Sequence, residues 1–183
     1  MTSGPVIPDY CSRCGNHRLR SIPRDSAVHC KHCGHVSYLN SKPSVCAVIV
    51  RRRRSEVLLV RDGRPSAGWD LPGGFLLYGE SPETGLCREL KEEIDADIRS
   101  SQLMAAIVDD YAGQKGHSLN LFFGVQLKGN PSPSGEIEDC RWFKMQSLPK
   151  LRYRSVRQVL RRIENRRLAP LARLRKPAAG NPI

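Results

Sequence analysis

Glu89, Glu92 and Glu93 stand at spacings i, i+3 and i+4. On a helix, residues so spaced share one face. Three anions held together repel, so an ordinary helix gains nothing from the arrangement. A divalent cation between them reverses the sign. A donor set made only of oxygens is hard and suits Mg2+ or Mn2+, the ions of phosphate chemistry. Such an ion neutralises phosphate oxygens, stabilises charge on a leaving phosphate and helps to deprotonate water.

A second constellation lies near the start of the chain. Cys11-x2-Cys14-Gly15 and Cys30-x2-Cys33-Gly34 are separated by fifteen residues. This is the spacing of a four-thiolate structural zinc site. Each pair chelates from one turn, and the following Gly permits the left-handed backbone such a turn favours. Two disulfides are the competing reading, and His29, His32 and His35 are neighbouring alternatives to a thiolate. Four thiolates close the coordination sphere, so this zinc would stabilise folding and leave no place for water. Fewer than 45 residues bury little core, and metal commonly makes up the difference. Cys46, Cys87 and Cys140 have no such spacing and read as small buried residues.

The elements that must position these groups follow from pattern. Asn40 to Pro43 reads as a linker leaving the cysteine module. Val45–Val50 and Glu56–Val60 are β-rich runs that form a hairpin, with Arg51 to Arg54 at its exposed turn. Asp70-Leu71-Pro72-Gly73-Gly74 marks a tight loop where backbone approaches something closely. Ser81 then serves as N-cap and Pro82 opens the carboxylate helix. Leu86, Leu90 and Ile94 supply its core-facing stripe, and Gly85 allows close packing at a small cost in propensity. Strands are expected over 98–111, 118–127 and 140–144, with a Pro/Ser loop over 129–135. Val156, Val159, Leu160 and Ile163 fit an amphipathic helix with arginines on its outer face.

The chain of 183 residues suits one ordinary domain plus a small module. No apolar run is long enough to span a bilayer, and the first residues have neither the basic nor the apolar region of a secretory signal. The expectation is a cytoplasmic protein with reduced thiols and no membrane partner. From Lys150 to Lys176 there are eleven Lys and Arg against the single acid Glu164, which accounts for ten of the twelve net positive charges. Such a segment is able to meet RNA or another polyanion, although a solvated helix face with a loose tail is the simpler explanation.

Gly74, five residues, Glu80, seven residues, then Arg88-Glu89-Leu90-x-Glu92-Glu93 resembles the box of the Nudix hydrolases. Trp69-Asp-Leu-Pro-Gly-Gly and the order of elements resemble that family too. With the cysteine module included, about 150 residues look like zinc-ribbon Nudix proteins. The resemblance implies an α+β fold, a Nudix-type α/β/α sandwich with a mixed sheet, preceded by a small zinc ribbon. It divides the chain into a ribbon (1–42), a hydrolase domain (43–167) and a basic tail (168–183). Glu89, Glu92 and Glu93 would ligate Mg2+ or Mn2+ with the Gly74 carbonyl, while Arg88 orients the carboxylates and Glu80 stands behind them. Cys11, Cys14, Cys30 and Cys33 would hold Zn2+. The general base lies on the box helix in some relatives and on a later loop in others, where Glu136 and Glu138 stand here. One departure is Asp95 where the family places Gly; Asp tolerates a left-handed exit better than most residues.

The implied reaction is attack of water on the diphosphate of a nucleoside diphosphate derivative. The segment from Asp110-Tyr111 to His117-Ser-Leu-Asn-Leu-Phe-Phe resembles relatives acting on ADP-ribose and FAD. NADH-cleaving relatives carry a Ser-Gln-Pro-Trp element that residues 97–130 lack, which counts against that substrate. Trp69 is the favoured stacking residue beside Gly73 and Gly74, and core packing explains Tyr111 and Phe122 better. His117 reads as a loop histidine without a role, contact with phosphate being the lesser alternative. Two other readings stay open: hydrolysis at an RNA 5′ end with the basic C-terminal segment tracking the strand, and a non-catalytic ligand sensor. Family members often form homodimers.

Overall fold

The computed structural model describes residues 7–51, 53, 55–64, 68–110 and 116–165. Arg52, Arg54, Tyr111 and the expected tail 168–183 lie outside the described residues. The chain forms two compact units. One comprises Met1–Lys42 with Asp110–Ser118, the other Pro43–Asp109 with Leu119–Ile183.

The first unit is a three-stranded antiparallel sheet of β1 (Leu19–Ile22), β2 (Ala27–Cys30) and β3 (Val36–Tyr38), in that order. Its two cysteine turns are alike. Gly15 N–H donates to Cys11 O at 2.9 Å and Gly34 N–H to Cys30 O at 3.0 Å. Both glycines have the expected positive φ, 69° and 74°.

The second unit is a five-stranded sheet in the order β6-β7-β4-β5-β8. Its strands are β4 (Lys42–Arg51), β5 (Glu56–Asp62), β6 (Asp97–Asp110), β7 (His117–Lys128) and β8 (Ile137–Lys144). β4 and β5 form the expected hairpin, closed by Val50↔Val57 and Arg51↔Glu56, and β5 also pairs antiparallel with β8. Alternation along β4 builds the core. Val45, Ala47 and Ile49 face one layer with Leu86, Leu90 and Ile94 of α1 (Pro82–Ile94). Val48 faces the other with Val156, Val159, Leu160 and Ile163 of α2 (Arg154–Glu164). The sheet is thus covered by one helix on each face, the α/β/α arrangement, because a period of two feeds both layers at once.

Three expectations change. Lys42 and Pro43 already belong to β4, so the linker is shorter than 40–43; Pro is acceptable at a strand's first residues. His117 is not a loop residue but opens β7, its Nδ1 3.1 Å from Asp110 Oδ1. Cys87 is exposed, not buried. It follows Leu86 by one step, about 100° around the helix from the apolar stripe, whereas Cys46 and Cys140 are partly buried against the two core layers.

Candidate active site

The carboxylate helix is fixed at both ends. Ser81 Oγ accepts from Thr84 N–H at 3.2 Å, with Pro82 at the first turn. At the exit Asp95 adopts φ 44° and ψ 44°, the left-handed conformation, and its carboxylate meets Lys91 Nζ at 2.6 Å. The loop before β8 completes the C-terminal end. Ser134 N–H donates to Glu93 O at 2.9 Å and Ser132 N–H to Ile94 O at 3.0 Å. Helix ends leave such carbonyls without intrahelical partners, and this loop supplies them. Gly135 lies so close to Glu92 O that a Cβ would stand 2.8 Å from it. These contacts bring Glu136 near enough for its charge to act on Glu93.

The other wall is the loop from Trp69 to Gly74. Ala47 N–H donates to Pro72 O at 2.8 Å and Val45 N–H to Gly74 O at 2.9 Å, which lays the loop along β4. Gly73 has φ 139°, and a Cβ there would collide with Val45 O. A Cβ on Gly74 would run into the Glu89 carboxylate. Glycine at 73 therefore lets the loop lie against β4, and glycine at 74 leaves room for the Glu89 carboxylate. Gly73 N–H donates to Glu93 Oε2 at 2.8 Å, and Glu89 rests against Gly74. Gly85 is closely packed as well: a Cβ there would push on the tips of Leu76 and Glu80.

Arg88 organises the acids. Its Nε and Nη2 donate to the two Glu80 oxygens, both at 2.9 Å. Nη1 donates to Glu89 Oε1 at 2.9 Å and Glu92 Oε2 at 3.0 Å, and Nη2 also reaches Phe75 O at 3.1 Å. The planar fork is suited to such bidentate work, which lysine cannot copy. With Leu77 N–H it holds the Glu80 carboxyl down to about 2.

Electrostatics set Glu93 apart. Burial pushes its carboxyl up to about 8, against the Gly73 N–H, with repulsion from Glu89, Asp70 and Glu136 added. Burial also raises Glu89, against the pull of Arg88. The fold has therefore buried more acid than its own cations stabilise in the ionised form.

That excess, and the all-oxygen donors, fit a hard divalent cation. The donors are not drawn together in this conformation, however. Among the described residues, Cys11, Cys14, Cys30 and Cys33 are the only group of three or more metal-ligating residues whose donor atoms all lie within 4.8 Å of one another. Glu92 instead extends into solvent, 58% exposed, and takes Arg88. Gathering all three acids needs rotation of the exposed Glu92 side chain.

The thiol group fits zinc directly. Cys11 and Cys33 Sγ are 3.7 Å apart, and Cys14 and Cys30 Sγ 3.8 Å. Tetrahedral Zn–S bonds of about 2.3 Å require sulfurs about 3.8 Å apart, and a disulfide requires about 2.05 Å. All seven cysteines are free, and the neighbouring histidines stand outside the group.

The remaining expected residues fall as follows. Trp69 is 9% exposed; its ring meets Phe143 edge-on at 4.6 Å, with Arg61 Cζ 5.1 Å from its centroid. Protein groups thus occupy most of the ring that was expected to stack. Phe122 is fully buried in the core. Glu136 and Glu138 are both exposed, and Glu138 lies over Gly63. Asp70, which the sequence did not single out, is driven up to about 7 by burial and by Asp62, against Leu71 N–H and Arg152. A lone Asp in a loop gives no signal of that environment.

A NUDIX domain family model matches residues 40–163, and the chain belongs to the NUDIX family. It is similar to the NAD-capped RNA hydrolase NudC of Pseudomonas fluorescens (strain Pf0-1), 32% identical over 145 residues, 78% of this chain and 50% of that one. The chain spans about half the length of the curated relatives it matches. Among solved structures it resembles a MutT NUDIX hydrolase from Burkholderia pseudomallei, with TM-score 0.61 and 24% identity over 68% of this chain and 98% of that one. A NUDIX hydrolase from Nitrosomonas europaea gives TM-score 0.61 and 23% identity over 86% and 92%. Both structures agree with the fold. No helix among the described residues is long and apolar enough to cross a membrane.

Proposed function

We propose that this chain is a pyrophosphohydrolase dependent on Mg2+ or Mn2+, cleaving the diphosphate of a nucleoside diphosphate derivative such as ADP-ribose or FAD. The observation that carries the reading is Arg88 forked across Glu80, Glu89 and Glu92 while Glu89 and Glu93 reach the Gly73–Gly74 backbone. Glu89, Glu92, Glu93 and the Gly74 carbonyl would hold the ion. When bound, the ion withdraws charge from the phosphates and lowers the pKa of water. Arg88 is the positioning residue: it fixes the rotamers of Glu89 and braces them on Glu80. Glu93 accepts from Gly73 N–H, which orients it toward the loop. Glu136, beside Glu93 on the loop before β8, is the base that takes a proton from the attacking water. A protein that only senses a ligand has no need of this arginine-braced acid cluster.

A second reading is favoured by the relatives, which are named NAD-capped RNA hydrolases. There the nucleoside diphosphate is the 5′ end of an RNA. The absence of Ser-Gln-Pro-Trp in residues 97–130 argues that any such cap is held differently here. Free thiols and a four-thiolate site favour a reducing compartment such as the cytoplasm.

A substrate panel separates the readings. ADP-ribose, FAD, NADH, dinucleoside polyphosphates, nucleoside triphosphates and 5′-capped or triphosphorylated RNA are each incubated with Mg2+ and Mn2+. Nucleoside monophosphate release from ADP-ribose or FAD supports the first reading, and preference for RNA ends supports the second. No divalent-dependent turnover of any compound sinks both.

A further inference from the structure

The charge outside the basic C-terminal segment is itself divided. Residues 1–42 carry six Lys and Arg against two acids, whereas residues 43–149 carry thirteen against fifteen. Residues 1–42 are therefore basic, and residues 43–149 are mildly acidic.

The register shows how that charge is presented. Arg20 pairs with His29 and His29 with Val36; in the next row Ile22 pairs with Ala27 and Ala27 with Tyr38. Residues opposite in register share a face. One face of the ribbon thus carries Arg20, Ile22, Ala27, His29, Val36 and Tyr38, with Ala27 buried and Arg20, Val36 and Tyr38 exposed. The opposite face carries Val28 and Cys30, both buried, and so belongs to the metal side. Lys31 N–H donates to Arg18 O at 2.9 Å, extending the β1–β2 ladder by one more pair of cations. Tyr38 is 67% exposed and Val36 38%. Among the described residues, no ion pair engages Arg18, Arg20 or Lys31.

We infer that this face of the ribbon binds single-stranded nucleic acid. Exposed cations without carboxylate partners meet phosphates, and an exposed tyrosine offers a flat ring to an unpaired base. Sheet-borne aromatics flanked by cations suit a strand with splayed bases, which has both groups to offer. A small nucleotide has too few phosphates to use so many cations. The inference stands on the ribbon alone and does not need the catalytic reading to hold.

The test is binding of a fluorescent 20-nucleotide oligouridylate to the full chain, followed by anisotropy at several salt concentrations. Two variants are compared with wild type: Arg18→Gln/Arg20→Gln/Lys31→Gln together, and Tyr38→Ala. Each keeps all four cysteines, and zinc content with circular dichroism checks the fold. The triple variant should bind at least about tenfold more weakly, with a salt slope shallower by about 2 for three lost phosphate contacts. Tyr38→Ala should weaken binding about tenfold with the slope unchanged. Duplex of the same length should bind less well than the single strand. Unchanged affinity and slope in the triple variant would overturn the inference, since binding would then lie elsewhere, as on the C-terminal segment. Equal affinity for duplex would overturn it too. ADP-ribose turnover, measured in parallel, should be the same in all three proteins, so failure of the catalytic reading is seen separately.

Discussion

The two candidate metal-ligand sets of this protein are in opposite states of readiness. The four thiols of the ribbon already stand at zinc-binding separations. The three glutamates of α1 do not: Glu93 is buried on Gly73, Glu89 rests on Gly74, and Glu92 faces solvent under Arg88. The physical difference is charge. A thiol with its ordinary pKa of about 8.5 is largely neutral at pH 7 and packs with little repulsion. Of the four, backbone hydrogen bonding lowers Cys30, to about 6, whereas carboxylates kept together need a cation. A structural site gains from being closed in advance. A hydrolytic site must admit ion, substrate and water, and here Glu92, one of the proposed ligands, is an exposed side chain. The same contrast appears among the arginines. Arg61, Arg64, Arg88, Arg141, Arg152 and Arg154 of the catalytic unit each meet a carboxylate, while the ribbon cations face outward.

The comparison can be broken most forcefully at Arg88. Arg88→Ala should lower kcat by about 10- to 100-fold, the range for groups that orient metal ligands, and Arg88→Lys should recover little because it cannot fork. Steady-state kinetics of both variants read this; wild-type kcat in Arg88→Ala would mean that the carboxylates need no brace. Next comes Cys11→Ser, which should release the ribbon's zinc and loosen residues 1–42 while leaving much of the hydrolysis intact. Hydrogen exchange with metal analysis would show it, and a fully ordered ribbon without metal would contradict it.

Smaller effects probe packing and charge. Gly85→Ala should cost about 1–3 kcal/mol by overpacking against Leu76 and Glu80, and urea denaturation measures it. Asp70→Asn should alter the pH dependence of stability. Burial raises this carboxyl from its ordinary value to about 7, so folding favours the protonated form. Stability from this group is full below about pH 4 and is lost as pH rises through about 7. Asn keeps an acceptor for Leu71 N–H, so the variant should gain of order 1–2 kcal/mol at pH 8 and lose that slope. An unchanged pH profile would place the Asp70 carboxylate in water.

Much of this was legible because it is local. Ser81, Pro82 and Asp95 cap α1 through their own backbone preferences, and the glycines after Cys14 and Cys33 take the left-handed turns their spacing demands. The alternation of β4 and the stripe of α1 foretold which faces meet. What escaped is non-local. The Pro/Ser loop was visible as a loop, but its bonds to Glu93 and Ile94 carbonyls depend on where α1 ends in space. Trp69 looked available beside the glycines, yet Phe143, from a strand more than seventy residues on, covers it. Cys87 read as buried because its neighbour Leu86 is, and one helical step was enough to turn it outward.

The central claim is that the α1 carboxylates form a divalent-metal hydrolytic site. Its most direct test is the rate of diphosphate cleavage by wild type and Glu93→Gln at saturating Mg2+, using the best substrate of the panel and with equal folding verified by thermal denaturation. The account predicts a loss of roughly 10³-fold, equivalent to about 4 kcal/mol of transition-state stabilisation, with little change in stability. Turnover near the wild-type rate in Glu93→Gln would contradict it.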